Sequence, residues 1–231
     1  MISIIIPIYK ETFVYFILKN FKKKLEKKFK NFEIIIVNNG SDKKTLNETM
    51  KFSNEFKCAK NYKLKNPNYG KAIELGLKKS TKPISIILEF DFLNFKFVND
   101  SVIKIVNSKT SLVIGSKTLK KSEDNRGWIR VMMTYVFNVL LSLILKIKST
   151  DTHGLKAISK KLRDKILTNC KSSSHAYQTE IVLVAEKLNF SIEEIPLEIS
   201  ETRPTKLNIF LRVFTYLLII KELYQLNKNY K

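Results

Sequence analysis

Residues 82–93 read KPISIILEFDFL, an apolar run that ends in two carboxylates, Glu89 and Asp91. The β-branched residues at its start predict a strand over residues 82–90. On an extended strand, residues two apart project to the same side, so both carboxylates would face one ligand. Such a pair suits a hard divalent cation, which takes oxygen ligands and commonly shares them with substrate phosphates. The alternative is that one acid caps the next helix and the other is solvated.

Similar apolar runs recur along the first half of the chain and alternate with longer amphipathic segments. Their unbroken hydrophobicity indicates strands that are covered on both faces, as in a parallel sheet. Strands are predicted at residues 2–8, 32–38, 82–90 and 111–116, and helices at residues 11–29, 42–53 and 69–80. We therefore predict an α/β fold with an open, mostly parallel sheet flanked by helices. Ligands of such sheets bind beyond the carboxyl ends of the strands, where NNGS (38–41) and EFD (89–91) fall.

From about residue 124 the pattern becomes more helical. The order is a long helix at 124–147, the turn STDTHGLKAI (149–158), two further helical stretches, a strand near FSIEEIP (190–196) and a last helix from about residue 207. The length of 231 residues supports one compact unit, which we divide into a main domain, residues 1–206, and a C-terminal amphipathic helix, residues 207–231. The dense apolar face of that helix would pack on the sheet or lie in a membrane surface.

The composition is that of a globular protein, but the chain is strongly basic. Apolar residues make up 44% and charged residues 27%, while the formal net charge is +21. This charge suggests nucleic acid, anionic lipid or a phosphorylated substrate as a partner, unless it reflects a general excess of lysine on solvated faces. The basic residues are spread along the chain without an aromatic-basic patch, which disfavours nucleic acid. No Gly-x-Gly-x-x-Gly follows the first strand, which disfavours a dinucleotide-binding dehydrogenase.

The cysteines and the hydrophobic segments bear on location. Cys58 and Cys170 stand far apart in the sequence, which favours a reducing, cytosolic setting. The N-terminal MISIIIPIYK has no positive region before its apolar run, and that run is too short for a signal peptide. The longest apolar stretch, residues 131–147, falls short of the roughly 20 residues that span a bilayer. We therefore expect a chain that does not cross a membrane.

At least six blocks occur in a fixed order between residue 2 and about residue 207. They include ISIIIPIYKE (2–11), EIIIVNNGSDKKT (33–45), NPNYGKAIELG (66–76), EFDFL (89–93), IGSKTLKK (114–121) and TDTHGLKAIS (150–159). Together they resemble the family 2 glycosyltransferases, which have the GT-A fold, and in particular the polyprenyl-phosphate (dolichol-phosphate) mannosyl- and glucosyltransferases. The resemblance implies an inverting, metal-dependent transfer of a hexose from GDP-mannose or UDP-glucose to a polyprenyl or dolichyl phosphate.

The same resemblance implies which residues bind the nucleotide-sugar. The first block would border the nucleotide base, and the third would start a helix whose N-terminal amides point at negative charge. The implied set is Pro7, Tyr9, Glu11, Asn38, Asn39, Gly70, Lys71, Glu89 and Lys117.

Two of these places depart from the family pattern. Asn38 and Asn39 stand where two acids are usual, and an amide carries no charge and adds a hydrogen-bond donor. In the metal motif, Glu89 replaces an aspartate and Leu93 stands where the family often has glutamine. These departures leave the preferred nucleotide base open.

The later blocks supply the residues for the acceptor and for catalysis. Arg130 and Thr134 match an Arg-x-x-x-Ser pair that holds the acceptor phosphate in the lipid-phosphate enzymes, and their spacing places both on one helix face. The implied catalytic residues are Asp91, Arg130, Asp151 and Lys156; the metal ligands are Glu89 and Asp91; and the acceptor-binding residues are Arg130, Thr134 and Arg203.

The cofactor implied by the resemblance is Mg²⁺ or Mn²⁺. The implied partners are a nucleotide-sugar donor, a polyprenyl-phosphate acceptor, and an anionic membrane surface or a membrane-anchored partner protein, with a peripheral location on the cytoplasmic face. Two alternatives stay open: a polysaccharide or protein hydroxyl as acceptor, which needs a base such as Asp151, and a non-catalytic relative that binds a partner. His153 and His175 lack partners at metal-ligand spacing and are interpreted as loop or helix-surface residues.

Overall fold

A seven-stranded sheet forms the centre of the computed structural model, which describes residues 1–125, 127–200 and 209–230. Its strands are β1 (Ile2–Ile8), β2 (Phe32–Asn39), β3 (Ala59–Leu64), β4 (Ile84–Ile87), β5 (Leu112–Ser116), β7 (Lys156–Ser159) and β8 (Ile192–Pro196). A separate two-stranded sheet pairs β6 (Glu123–Asn125) with β9 (Glu198–Ser200). The helices are α1 (Val14–Glu26), α2 (Lys43–Glu55), α3 (Tyr69–Lys79), α4 (Phe95–Asn107), α5 (Trp128–Leu145), α6 (Lys160–Asn169), α7 (Tyr177–Lys187) and α8 (Ile209–Asn227), followed by a 3-10 turn, Lys228–Tyr230.

The order of the large sheet is β3-β2-β1-β4-β7-β5-β8. Only β7 among these strands runs antiparallel to its neighbours β4 and β5. The chain leaves β1 toward β2 and β3 on one side and then returns to place β4 on the other side. This reversal creates a crevice between the carboxyl ends of β1 and β4, which is the usual ligand site of an open α/β sheet. The predicted α/β class with a mostly parallel sheet is confirmed.

The strands are buried on both faces because successive side chains enter two different cores. In β1, Ile4 and Ile6 pack with α1 and α4, whereas Ile5 packs with α3 and α7 on the opposite face. A fully buried isoleucine contributes about 1.5–3 kcal/mol relative to an exposed one. The isoleucine-rich strands therefore fix the position of the sheet edge at which the crevice lies.

Side-chain caps fix the two helices that begin nearest to this crevice. Asp42 accepts a hydrogen bond from the Thr45 N–H (2.8 Å) and caps α2. Asn68 accepts one from the Lys71 N–H (2.9 Å) and caps α3. Such caps each stabilise a helix by about 1 kcal/mol.

The C-terminal helix packs against the main body of the protein. Ile219, Ile220 and Leu223 of α8 are buried in the core that also contains Phe137 of α5. The proposed boundary at residues 206 and 207 lies outside the described residues and stays a prediction. Among the described residues one helix, α5, is long and apolar enough to cross a membrane, with a mean hydropathy of 1.8 and 22% of it buried.

Candidate active site

A pocket of about 300 Å³ opens at the crevice between β1 and β4. We call it the switch-point pocket; it is lined by Pro7, Ile8, Tyr9, Glu11, Asn39, Tyr69, Glu89, Phe90, Asp91 and His175. Its volume lies at the lower end of the range for small-molecule sites. Five of these residues belong to the set that the sequence predicted for the nucleotide-sugar, namely Pro7, Tyr9, Glu11, Asn39 and Glu89, and Asp91 is the second of the two predicted metal ligands. The fold thus brings together side chains from the carboxyl ends of three strands, β1, β2 and β4.

The two acids lie on a tight turn and not on an extended strand, so the geometric premise of the sequence analysis was wrong. Strand β4 ends at Ile87, and the Phe92 N–H donates to the Glu89 carbonyl oxygen (3.0 Å) to close the turn. Glu89 and Asp91 are nevertheless both exposed to the switch-point pocket. The tight turn, and not the alternation of side chains along a strand, brings both carboxylates to one cavity.

Glu89 lies next to a group of buried charges. The surrounding protein raises the pKa of Glu89, and the positive charge of Lys117 opposes this shift. Because Glu89 is exposed in the pocket while protein encloses it below, an added cation could reach it from the solvent side.

Beneath the acids, Lys117 and Asp151 form a buried ion pair. Their Nζ and Oδ2 atoms are 3.0 Å apart, and the side chains are 11% and 1% exposed. Asp151 also accepts hydrogen bonds from the backbone N–H groups of Lys117 (3.0 Å) and His153 (2.9 Å). Burial alone would raise the pKa of Asp151, but Lys117 and these donors hold it well below the ordinary value. All these contacts fix Asp151 in place with its carboxylate closed to solvent, and its predicted catalytic role stays a prediction.

Lys156 is fully buried and donates three hydrogen bonds. Its Nζ contacts the carbonyl oxygens of Thr152 (2.8 Å) and Gly154 (3.0 Å) and Oε1 of Gln178 (3.0 Å). Burial lowers the pKa of Lys156 to about 7. Three acceptors require three N–H donors, which only the ammonium form has, so the contacts favour the charged state.

From Lys156 a chain of contacts reaches the pocket through residues that the sequence analysis missed. Gln178 donates from Nε2 to the Tyr69 hydroxyl (2.7 Å), and the Tyr69 ring stacks on His175 with centroids 5.7 Å apart. Tyr69 and His175 both line the switch-point pocket. Burial, followed by the nearby Glu89, raises the pKa of Tyr69, which keeps its hydroxyl protonated. His175 is an exposed residue of the turn before α7, as expected, and it also lines the pocket, which the sequence did not predict.

The other histidine is half-buried inside the protein. His153 packs edge-on against Phe137 (5.2 Å between centroids) and lies near the Thr179 hydroxyl (3.4 Å). Burial and the neighbouring Lys156 lower the pKa of His153, so its ring is neutral near pH 7. His153 lies in the loop between α5 and β7, as expected, but its ring is packed inside the protein rather than solvated.

The two asparagines that end β2 face different surroundings. Asn39 lines the pocket, and its Oδ1 accepts from the Asn68 N–H. Asn38 is fully buried, and its Nδ2 donates to Thr49 (2.9 Å) and to Asn61 (2.6 Å). Asn38 therefore joins β2 to α2 and β3, whereas Asn39 is the one of the two that a ligand could contact.

Gly70 and Lys71 occupy the first turn of α3 beside the pocket. Gly70 is buried against the backbone of Ser174, while the Lys71 side chain is exposed. Arg130 and Thr134 lie one turn apart near the start of α5, and the Thr134 hydroxyl donates to the Arg130 carbonyl oxygen (2.9 Å). Arg203 lies outside the described residues. The ligand-binding roles of all these residues stay predictions.

The donor set of the pocket fits a hard divalent cation that keeps other ligands. The described residues contain no group of three or more His, Cys, Asp or Glu side chains that could enclose a metal. Glu89 and Asp91 supply two carboxylates at the pocket. Mg²⁺ is commonly bound in this way, by one or two carboxylates together with water and substrate phosphates.

Curated relatives of this sequence include two dolichyl-phosphate beta-glucosyltransferases. The protein of Dictyostelium discoideum is 26% identical over 203 residues, covering 83% of this chain and 62% of its own length. A protein of Trichomonas vaginalis is 25% identical over 252 aligned positions, covering 98% of this chain and 74% of its own length. This chain thus spans less than two thirds of the first of these relatives.

Solved structures agree on the fold. The glucosyl-3-phosphoglycerate synthase of Mycobacterium tuberculosis, crystallised with Mn²⁺, uridine diphosphate and phosphoglyceric acid, superposes with a TM-score of 0.69 at 15% identity. The superposition covers 98% of this chain and 78% of the synthase chain. The expected GT-A architecture is confirmed. The sequence profile described as glycosyl transferase family 2 matches residues 3–167. Since this match covers more than half of the sequence, the chain belongs to glycosyl transferase family 2.

Proposed function

We propose that this protein transfers a hexose, with inversion, from a nucleotide-sugar to a polyprenyl phosphate. The observation that carries the proposal is the switch-point pocket, in which Glu89 and Asp91 meet the residues that follow β1 and β2. The curated relatives are named dolichyl-phosphate beta-glucosyltransferases, which favours UDP-glucose over GDP-mannose as the donor.

Glu89 and Asp91 would hold Mg²⁺ or Mn²⁺ at the mouth of the pocket. A bound cation would supply electrostatic stabilisation of the charge that develops on the departing diphosphate. Tyr9, Glu11 and Asn39 line the same cavity and would contact the nucleoside part of the donor. Asn39 donates from an uncharged amide where the family usually has an acid, so it would set a base preference different from that of an aspartate.

A phosphate acceptor suits this site better than a sugar or protein hydroxyl. A lipid phosphate is already anionic at neutral pH and needs no strong general base, whereas a hydroxyl does. Asp151, the candidate base, is buried and held by Lys117 and by two backbone N–H groups. Arg130, Thr134 and Arg203 are the proposed acceptor-binding residues. An acceptor carried by a lipid would place the enzyme at a membrane, and we propose a peripheral location on the cytoplasmic face.

The direct test is transfer of labelled sugar by the full chain. UDP-glucose and GDP-mannose are each offered with dolichyl phosphate or a soluble glycan, with Mg²⁺, with Mn²⁺ or with a chelator. We expect metal-dependent transfer from UDP-glucose to dolichyl phosphate. Asp91→Asn should lower turnover at least about 100-fold, which corresponds to about 2.7 kcal/mol of transition-state stabilisation. Asp100→Asn is the matched control, because Asp100 lies on α4 away from the pocket residues.

Each arm of this experiment has a distinct consequence. Transfer only to the glycan would overturn the acceptor, and full activity in the chelator would overturn the metal. Absence of any transfer, together with no metal-dependent binding of either nucleotide-sugar in calorimetry, would make the chain a non-catalytic relative.

A further inference from the structure

Helix α5 exposes large apolar side chains along its outer face. Trp128 (73% exposed), Tyr135 (63%) and Leu143 (72%) mark this face from the first turn of the helix to near its end. Only 22% of the helix is buried, although its mean hydropathy is 1.8. A hollow of about 510 Å³ continues the surface at its N-terminal end; it is lined by the apolar or aromatic Trp128, Val131, Met132 and Tyr135 and by the acidic Asp124. Contiguous apolar surface of this kind marks an interaction site.

Helix α8 presents a second apolar face beside the first. Phe214 (58% exposed), Leu217 (56%) and Leu218 (50%) point away from the core. The two helices touch through Phe137 and Tyr216, whose ring centroids are 4.3 Å apart. Buried residues of both helices belong to one core cluster, so their outer faces lie on the same side of the molecule. We call this combined surface the α5–α8 face.

The charges that border this face suit an anionic lipid surface. Residues 128–148 contain no Asp or Glu, and Lys146 and Lys148 are exposed at the end of α5. Lys221 of α8 and Lys228 of the 3-10 turn that follows it are also exposed. Lysines near an anionic leaflet each contribute about 1 kcal/mol, and Trp and Tyr favour the depth of the headgroups. A protein partner would instead require hydrogen-bonding groups spread over the contact.

The same structure argues against α5 as a membrane span. Met133, Phe137, Leu141 and Leu145 form a buried stripe along the helix. Moving α5 into a bilayer core would uncover this stripe and the core beneath it. The helix therefore fits a position parallel to the membrane, with its inner face on the protein and its outer face in lipid.

We propose that the α5–α8 face docks the protein on an anionic lipid bilayer, with the apolar side chains at the headgroup boundary and the lysines on lipid phosphates. The proposal names the surface that would hold the protein at the membrane location given under the proposed function, and it rests on that function only for this location.

The test is flotation of the full chain with vesicles. The vesicles contain phosphatidylcholine alone, or phosphatidylcholine with about a third phosphatidylserine, at an ionic strength of about 0.1 M. We expect binding to the anionic vesicles and a loss of at least tenfold when Leu143 and Leu217 are both changed to Glu. The matched control changes Phe16 of α1 and Val106 of α4 to Glu. Both control residues are 63% exposed and lie outside the α5–α8 face.

Three results would overturn the proposal. The first is an equal loss of vesicle binding in the control variant, and the second is undiminished binding in the Leu143→Glu/Leu217→Glu variant. The third is a wild-type chain that does not bind vesicles but forms a dimer in light scattering, where the Leu143→Glu/Leu217→Glu variant abolishes the dimer. The last result would assign the face to a second copy of the chain. Transfer to a short, water-soluble polyprenyl phosphate without vesicles reports on the proposed function separately. The docking variant should retain that activity, so a failure of either proposal is recognisable by itself.

Discussion

Gly70 sets how closely helix α3 approaches the loop that precedes α7. A Cβ atom at this position would lie 2.2 Å from the Ser174 carbonyl oxygen and 3.0 Å from Cβ of Tyr177. The first distance is far below van der Waals contact with a backbone atom, which cannot rotate away. Because the loop carries His175, this single missing methyl group fixes one wall of the switch-point pocket.

Gly70→Ala should therefore lower the free energy of unfolding by about 1–3 kcal/mol, the usual cost of forcing extra atoms into a packed site. It should also weaken nucleotide-sugar binding, since the loop must move. Denaturant unfolding and calorimetry measure the two effects. Gly127→Ala is the control, because a Cβ on Gly127 meets nothing within 4 Å. Equal stability of the two variants would show that the loop before α7 can move aside without a loss of unfolding free energy.

At this scale the sequence revealed the residues that sit in short motifs and missed those that meet across the fold. Asn39 ends a strand, Glu89 and Asp91 follow one, and all three stand out as polar residues next to an apolar run. Tyr69 and Gln178 touch each other across 109 residues of chain, and no local pattern links them. Their contact depends on how α3 and α7 pack, which spacing in the sequence does not encode.

Among the elements, the strands with continuous isoleucine were the predictable ones. Strands β1, β2, β4, β5 and β8 were each expected within a few residues of their observed bounds. Strand β3 was missed because AKNYKL is an edge strand with polar, half-buried positions. Strand β7 has four residues and runs antiparallel between β4 and β5, a pairing that only the tertiary structure supplies. Helix α4 was also missed, since its aromatic start continues the apolar turn before it.

Glu33 joins the first three strands at the edge of the sheet opposite to the pocket. It accepts hydrogen bonds from Ser3 of β1 (2.7 Å), from the Thr81 N–H (2.7 Å) and from Lys60 of β3 (2.9 Å). Burial would raise the pKa of Glu33, but Lys60, Thr81 and Ser3 together lower it to about 2 from an ordinary 4.5. The ionised form therefore holds these elements together.

The sign of the pH effect follows from the lowered pKa. The contribution of Glu33 to stability is complete above the unfolded-state value of 4.5 and is lost as the pH falls through the window from 4.5 to about 2. Glu33→Gln should lower the free energy of unfolding by about 1–3 kcal/mol at pH 7. It should also flatten the decline of stability with acid, as urea unfolding at several pH values would measure. Glu26→Gln, on the exposed end of α1, should leave the acid profile close to that of the wild type.

On the scale of the whole molecule, the C-terminal helix is tied to the loop that walls the pocket. Glu222 of α8 accepts a hydrogen bond from the Ser174 hydroxyl (2.7 Å). The Tyr230 hydroxyl, in the turn after α8, donates to Glu180 of α7. Glu180 in turn accepts from the N–H groups of Lys171 (2.8 Å) and Ser172 (2.9 Å). The sequence predicted a helix here but gave no sign of these contacts, because they join residues 48 and 50 positions apart.

These contacts predict that α8 stabilises residues 171–176 and, with them, the position of His175. Changing Glu222 to Ala and Tyr230 to Phe together removes two hydrogen bonds of roughly 1 kcal/mol each. Amide hydrogen exchange in residues 171–176 should become about tenfold faster or more, while exchange in β1 stays unchanged. Tyr224→Phe makes the same chemical change on an exposed position of α8 and should alter neither segment. If hydrogen exchange in residues 171–176 of the double variant is unchanged, then α3 alone, without α8, fixes the loop that forms this wall of the switch-point pocket. Faster exchange would connect the pocket to the same helix whose outer face we assign to the membrane, so that docking and substrate binding would share one structural element.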